Sequence, residues 1–200
     1  MNGRVACLTL MLASAGPVIA NDSVYVDVSR DKCRTIAEEP GIYALMSCPG
    51  YRDYPVHLKE IDVRQSVSFG HIGKDYLEGA FESFIPFNHA GTVVEWRVAE
   101  GGLAVATILR WTIENADPKT AEAVPALEGQ VLVVSKVAEK SDGKGCVVGY
   151  VDALANPDPN AIARTVADEV APSFRCGVDQ PAFHGKRGDK AAETTNELPE

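Results

Sequence analysis

The side chains that could perform chemistry are few, and their spacing fits no known mechanism. The chain has four histidines: His57, His71, His89 and His184. Their spacing matches no common zinc motif, and the sequence contains no G-x-S-x-G elbow, P-loop or G-x-G-x-x-G. Neighbouring acids such as Glu38 and Glu39 are typical of solvated faces. We therefore predict no catalytic residue, no metal site and no cofactor.

The cysteines carry the clearest chemical information. Cys7 lies in a predicted signal peptide, which leaves Cys33, Cys48, Cys146 and Cys176. An even number of cysteines in an exported chain predicts two disulfides, and gaps of 15, 98 and 30 residues do not fit C-x-x-C zinc or redox motifs. Three pairings are possible. We predict Cys33–Cys48 and Cys146–Cys176, because each joins the ends of one folded unit, whereas loop entropy does not choose among the pairings.

Aromatic side chains concentrate in residues 70–91, a long segment between two predicted strands. With two tryptophans on the following strands, the candidate binding residues are Tyr76, Phe81, Phe84, Phe87, Trp96 and Trp111. Aromatics in a long loop can form a recognition patch. They can also fold back as a plug at the open end of the sheet, which we favour, with a short helical turn that buries Phe81 and Phe84. Alternation places both tryptophans inward.

Strands with one polar face must position these side chains. The clearest alternating segment is 61–69, in which apolar residues share one face and only Gln65 interrupts them. Segments 93–98 and 103–113 repeat the pattern, and residues 100–102 join them with a hairpin sequence. Glu95 and Arg97 fall on the polar face, which we expect to be open to water. Further strands are predicted at 23–28, 42–47, 130–137 and 145–151.

One strong helix is predicted near the C-terminus. Asp158 can cap its first turn, Pro159 suits the first helical position, and apolar residues recur every four positions up to Phe174. The predicted fold is therefore α+β, with an antiparallel β-sheet of about six to eight strands covered by one C-terminal helix. We predict a single domain over residues 21–180. Residues 181–200 hold little apolar surface and are predicted to form a disordered tail.

Residues 1–20 have the features of a secretory signal peptide, with Arg4 before an apolar run and a small residue, Ala20, at the expected cleavage site. Their removal takes away one basic residue and no acid, so 18 basic residues face 28 acidic ones and the net charge is −10. This charge disfavours binding to nucleic acid or to anionic membranes. No other stretch is long and apolar enough to predict a membrane span. We predict a periplasmic or secreted protein.

Several short sequences form a familiar set. They are CPGY (48–51), SFG (68–70), FN (87–88), VEWR (94–97), ATILR (106–110) and YVDALANP (150–157). Together they resemble a group of uncharacterised exported proteins of Gram-negative bacteria, over roughly residues 28–176. The resemblance implies export to the periplasm and a single domain. It carries no activity, ligand or site residue.

The sequence favours a non-enzymatic periplasmic protein that binds a ligand or has an envelope-associated role. Its partner would be a protein or an envelope component. Two alternatives stay open: a periplasmic hydrolase, which would need a histidine beside a serine or carboxylate in a concave pocket, and an inhibitor of a cell-wall hydrolase.

Overall fold

The computed structural model describes residues 21–199, so the predicted signal peptide lies outside the described residues. Within this range twelve strands form three sheets. The strands are β1 Asp22–Asp27, β2 Arg34–Glu39, β3 Tyr43–Cys48, β4 Val56–Ile61, β5 Arg64–Phe69, β6 Phe81–Phe84, β7 Phe87–Val98, β8 Ala104–Glu114, β9 Gly129–Lys136, β10 Val147–Asp152, β11 Ala182–Phe183 and β12 Thr194–Glu197. The α-helices are α1 Lys74–Gly79 and α2 Pro159–Thr165.

The central sheet has six strands in the order β1-β7-β8-β9-β10-β11, and only the β10–β11 pair is parallel. A four-stranded antiparallel sheet, β2-β3-β4-β5, packs on one face through a core that includes Trp96 and Phe69. The C-terminal helix covers the other face through a second core that includes Val134 and Ala167. The fold is α+β with one C-terminal helix, as predicted, but the strands are divided among several sheets.

The C-terminal helix continues beyond α2. A π-helical turn, Val166–Val170, and a 3₁₀ turn, Ala171–Ser173, follow it, so residues 159–173 are helical. The predicted cap is confirmed, because the Asp158 carboxylate accepts a hydrogen bond from the Ala161 amide at 3.2 Å. Alanines at four-residue intervals let the helix approach the sheet closely, and Ala163, Ala167 and Ala171 are fully buried.

Both predicted disulfides are present. Cys33–Cys48 joins the segment before β2 to the end of β3. Cys146–Cys176 joins the residue before β10 to the chain just after the helix. The second bond therefore fastens the helix to the central sheet, as the spacing predicted.

Three details of the predicted sheet are wrong. Segment 61–69 is not one strand, because a turn at Asp62 and Val63 divides it into the ends of β4 and β5. That turn lacks the Asn-Gly or Asp-Gly pair that indicates a hairpin in a sequence. Glu95 and Arg97 are buried, since the helix covers the face that we expected to be open to water. Phe81 and Phe84 lie on strand β6, and the short helix precedes them.

The C-terminal tail also differs from the prediction. Residues 182–183 extend the central sheet, and β12 pairs with β6 over four residues. Ala191, between them, has no exposed surface. Backbone pairing orders this segment, so its shortage of apolar side chains did not decide its structure.

Candidate functional site

Most of the six predicted aromatic binding residues are buried in the fold. Trp96 and Phe84 are almost completely buried, and Tyr76 and Trp111 are buried as well. Phe81 is half-buried and only Phe87 is exposed. Phe84 packs against Trp111 and Tyr150 with ring centroids 5.8 Å apart. Five of the six predicted residues are therefore buried or half-buried, and the six together form no exposed recognition patch.

A cavity of about 250 Å³ lies between the two large sheets. The four-stranded sheet contributes Val56, Leu58 and Val67 to its walls, and the central sheet contributes Leu109 and Ala90. The complete lining is Val28, Arg30, Cys48, Val56, Leu58, Gln65, Val67, His89, Ala90, Gly91, Thr92 and Leu109. Most of this surface is apolar, with a few polar groups, which is the usual composition of a small-molecule site.

A bulge in β7 opens this end of the sandwich. Residues 91–93 lie opposite the single residue Arg110 of β8, so β7 bends away from the regular ladder. Gly91 suits this place because an added Cβ would lie 3.1 Å from the Arg110 carbonyl oxygen. The far edge of the bulge is held by the Val28 amide, which donates to the Thr92 carbonyl at 2.7 Å.

Gln65 supports the bulge from the opposite sheet. Its Oε1 accepts a hydrogen bond from the Ala90 amide at 2.8 Å, and its Nε2 donates to Glu60 at 2.8 Å. This side chain therefore satisfies the backbone amide of the last residue before the bulge, and it connects the two sheets beside the cavity. A methylene-only side chain here would leave that amide unpaired.

Charged groups stand at the rim. Arg30 donates to Glu60 in an exposed ion pair. Partial burial opposes ionisation of Glu60, but hydrogen bonds from Gln65 and Arg30 outweigh it and lower the pKa of that carboxyl. His89 Nδ1 lies 3.4 Å from the Glu114 carboxylate, and about half of each side chain faces solvent. The rim thus offers both signs of charge around an apolar interior.

A second, closed cluster of polar residues lies on the outer face of the four-stranded sheet, beneath α1. His57, Lys59, Ser66 and Ser68 project from β4 and β5, and Glu82 comes from β6. The space among them is about 10 Å³, enough for one water molecule. His57 and Ser68 are opposite in register, yet His57 Nδ1 has no hydrogen-bond partner within residues 21–199.

The charged members of this cluster hold backbone segments together. Lys59 Nζ donates to the carbonyl oxygens of Glu78 and Ala80, at 3.0 and 2.7 Å, and thereby fixes the end of α1. Both Glu82 oxygens accept from the Val147 amide at the start of β10. Burial raises the pKa of Glu82 to about 8 and lowers the pKa of Lys59 and of His57.

The four histidines do not converge. His57 lies in the closed cluster and His89 at the cavity rim. His71 lies 3.6 Å from Asp53, while His184 packs beside Gly149. Over residues 21–199 no group of three histidine, cysteine, aspartate or glutamate side chains is placed to hold a metal ion. Across that same range, no helix combines the length and the apolar character needed to cross a membrane.

No protein-family model, curated protein or solved structure matches the chain. The geometry of the described residues therefore supplies the functional argument.

The cavity was missed at the sequence level, although one sign of it was present. Gln65 interrupts the apolar face of segment 61–69, and in the structure it borders the cavity and bonds to the bulge. Gly91 gave no comparable indication, since a glycine near a loop has many explanations. The bulge depends on how β7 pairs with β8, and that register could not be read from either strand alone.

Proposed function

We propose that the protein is a non-enzymatic periplasmic binding protein that receives the apolar part of a small molecule between its two large sheets. The observation that carries this proposal is the cavity of about 250 Å³, walled by Val56, Leu58, Val67 and Leu109. Burial of an alkyl or aryl group there would remove apolar surface from water on both partners, which favours association.

The cavity size limits the ligand. A cavity of about 150 Å³ holds a benzene molecule, so by proportion this one has room for roughly ten non-hydrogen atoms. That is below the range of drug-sized sites, about 300–1,000 Å³. A short alkyl chain or a single substituted ring fits, while its polar end would remain at the rim near Arg30, His89 and Thr92.

The compartment is part of the proposal. The predicted signal peptide would export the chain, and the two disulfides are typical of proteins that fold in an oxidising environment. An envelope-associated role is compatible with such a site, because the hydrocarbon core of a membrane dissolves small apolar molecules.

Octanol is a suitable probe because it has eight carbons and a neutral head. We expect a titration followed by amide NMR to shift the signals of residues around the bulge, with saturation, and we expect hexanol to bind more weakly. Ala90→Leu should fill the cavity and abolish the effect. Ala161→Leu is the matched control, since Ala161 is exposed on the helix far from the cavity lining. Octanol shifts that persist in Ala90→Leu would contradict the proposal.

The hydrolase alternative receives less support. His89 lies beside the Glu114 carboxylate at the cavity rim, which meets one requirement of a hydrolase, but the cavity lining contains no serine for this histidine to activate. The cluster that contains His57 and Ser68 has room for one water molecule and no substrate-sized space. A nucleophilic mechanism needs the base within hydrogen-bond reach of the nucleophile. Inhibition of a cell-wall hydrolase is the other alternative, and it would require a surface that binds that enzyme.

A further inference from the structure

A second surface of the molecule exposes apolar side chains around the turn between β4 and β5. We call it the hairpin end, and it consists of Ile42, Ile61, Val63, Ile85 and Phe87. Hydrogen bonds place these residues together: the Asp62 amide donates to the Ile42 carbonyl, and Arg64 Nε donates to the Ile85 carbonyl at 2.7 Å. The Arg64 guanidinium lies over the Phe87 ring, 4.9 Å from its centroid.

The exposure is large for such residues. Val63 is 58 % exposed, Ile42 57 % and Ile85 54 %. Single exposed apolar residues are ordinary, but a group of five around one turn is typical of a surface that contacts another molecule.

The turn itself is strained. Asp62 and Val63 have φ values of +48° and +58°, which is the left-handed geometry of a type I′ hairpin. Asn-Gly or Asp-Gly normally occupies such a turn, because a β-branched residue at positive φ is a conformational outlier. The Val63 side chain is mostly exposed and so gains little from burial within the chain. A contact outside the chain would explain why an apolar side chain stands there.

An acidic groove adjoins the apolar group. It has a volume of about 200 Å³ and is lined by Ile42 and Val63 together with Glu38, Glu39, Glu60 and Asp62. Arg30 pairs with Glu60 and Arg64 pairs with Asp62. Glu38 and Glu39 are exposed, and no basic side chain of residues 21–199 pairs with either. The hairpin end therefore combines apolar surface with an uncompensated negative charge.

We propose that the hairpin end binds a basic, apolar segment of a partner protein. A lysine or arginine of the partner would lay its methylene chain against Ile42 and Val63 and place its charge in the acidic groove that Glu38 and Glu39 line. Apolar residues of the same segment would cover Ile85 and Phe87. Charge complementarity selects this partner over an acidic one, because the acidic groove repels carboxylates. None of the five apolar residues lines the cavity proposed above, although Glu60 lies both at the rim of that cavity and in the acidic groove.

The test uses three fluorescent twelve-residue peptides and the protein of residues 21–200. One alternates lysine and leucine, one alternates lysine and serine, and one alternates glutamate and leucine. We expect the lysine–leucine peptide to bind at least tenfold more tightly than the other two in fluorescence anisotropy. Affinity of the lysine–serine peptide equal to that of the lysine–leucine peptide would overturn the proposal, because charge alone would then suffice.

Two variants locate the site. Val63→Gly should weaken lysine–leucine binding about fivefold or more and at the same time raise the thermal midpoint, since glycine relieves the positive φ. Val63→Thr keeps the β-branched strain and removes apolar surface, so it should weaken binding without raising the midpoint. Leu154→Ser, which alters an exposed leucine elsewhere, should leave affinity within twofold. Unchanged affinity in both Val63 variants would refute the assignment.

The acidic contribution has its own matched pair. Glu38→Gln with Glu39→Gln should weaken lysine–leucine binding about fivefold, whereas Glu122→Gln with Glu169→Gln removes two exposed acids elsewhere and should change it less than twofold. Equal losses in the two double variants would show non-specific attraction and overturn the proposal. Ala90→Leu, which fills the cavity, should leave peptide affinity unchanged, so failure of one proposal is distinguishable from failure of the other.

Discussion

The two faces of the central sheet are packed in different ways. On the helix face, Ala163, Ala167 and Ala171 bring the helix close to the strands, and the charged residues are paired. On the sandwich face, large aromatic residues fill the middle, while the end near the β7 bulge keeps a cavity. The comparison indicates that the helix face stabilises the fold and that the sandwich face has room for a ligand.

Replacement of Arg97 should show most clearly how much the helix face contributes to stability. Arg97 lies on the helix face and donates to both oxygens of Asp168, at 3.0 and 2.7 Å, and to Ser23 and the Asn21 carbonyl. Removing one partner of a buried ion pair costs about 3–5 kcal/mol, because the remaining charge stays desolvated. We expect a loss of that size for Arg97→Ala in urea unfolding.

The matched control for this prediction is Arg110→Ala. Arg110 is exposed and makes one side-chain hydrogen bond, to Gln130, so its replacement should cost less than about 1 kcal/mol. Arg97→Lys retains the charge without the planar fork and should fall between the two. Similar losses for Arg97→Ala and Arg110→Ala would mean that the network on the helix face is not important for stability.

Removal of each disulfide compares the stability and ligand binding of the two faces. In the chain-entropy model, removal of Cys146–Cys176 by paired alanines costs about 3.5 kcal/mol and removal of Cys33–Cys48 about 3 kcal/mol. Cys48 lines the cavity, whereas Cys146 and Cys176 belong to the core under the helix. We therefore expect both losses of stability in urea unfolding, but a change of octanol affinity only when Cys33–Cys48 is removed. An equal change in both variants would remove the distinction between the faces.

The sequence contained most of the information for this architecture, because its main elements are local. Val94, Trp96 and Val98 alternate inward as expected, and Asp158 caps the helix as expected. What the sequence did not reveal depends on pairing between distant segments. Burial of Arg97 follows from the helix that returns over β7, and the order of the tail follows from the pairing of β12 with β6.

Glu82 provides a pH test at a buried acid that, unlike the acids of the helix face, has no basic partner among residues 21–199. The helix face buries paired charges, and hydrogen bonds from Arg164 and Ser23 there outweigh burial and lower the pKa of Glu95. Glu82 has no basic partner in residues 21–199, and burial raises its pKa from 4.5 to about 8. The folded protein therefore keeps a proton that the unfolded chain releases above pH 4.5. The resulting stability is fully present below pH 4.5 and is lost as the pH rises through about 8.

Glu82→Gln should remove that dependence, since an amide oxygen can still accept from the Val147 amide. We expect the thermal midpoint of the variant to exceed that of the unaltered protein by an amount that grows from pH 5 to pH 9. Glu122 is an exposed acid, so the difference in thermal midpoint between Glu122→Gln and the unaltered protein should be the same at every pH. Parallel curves for Glu82→Gln as well would show that Glu82 is ionised in the fold.

The smallest expected effect on stability concerns the C-terminal tail, whose strand β12 pairs with β6. The Tyr150 hydroxyl donates to Asn196 Oδ1 at 2.7 Å, and burial raises the pKa of that phenol. Asn196→Ala should cost about 1 kcal/mol in urea unfolding because it removes the acceptor of a buried donor. The side chain of Glu197, the next residue of β12, makes no such bond, so Glu197→Ala should cost less stability. A double-mutant cycle with Tyr150→Phe isolates the contact: if the tail pairs with β6 in solution, Asn196→Ala costs less once the hydroxyl is gone, whereas a disordered tail gives no coupling at all.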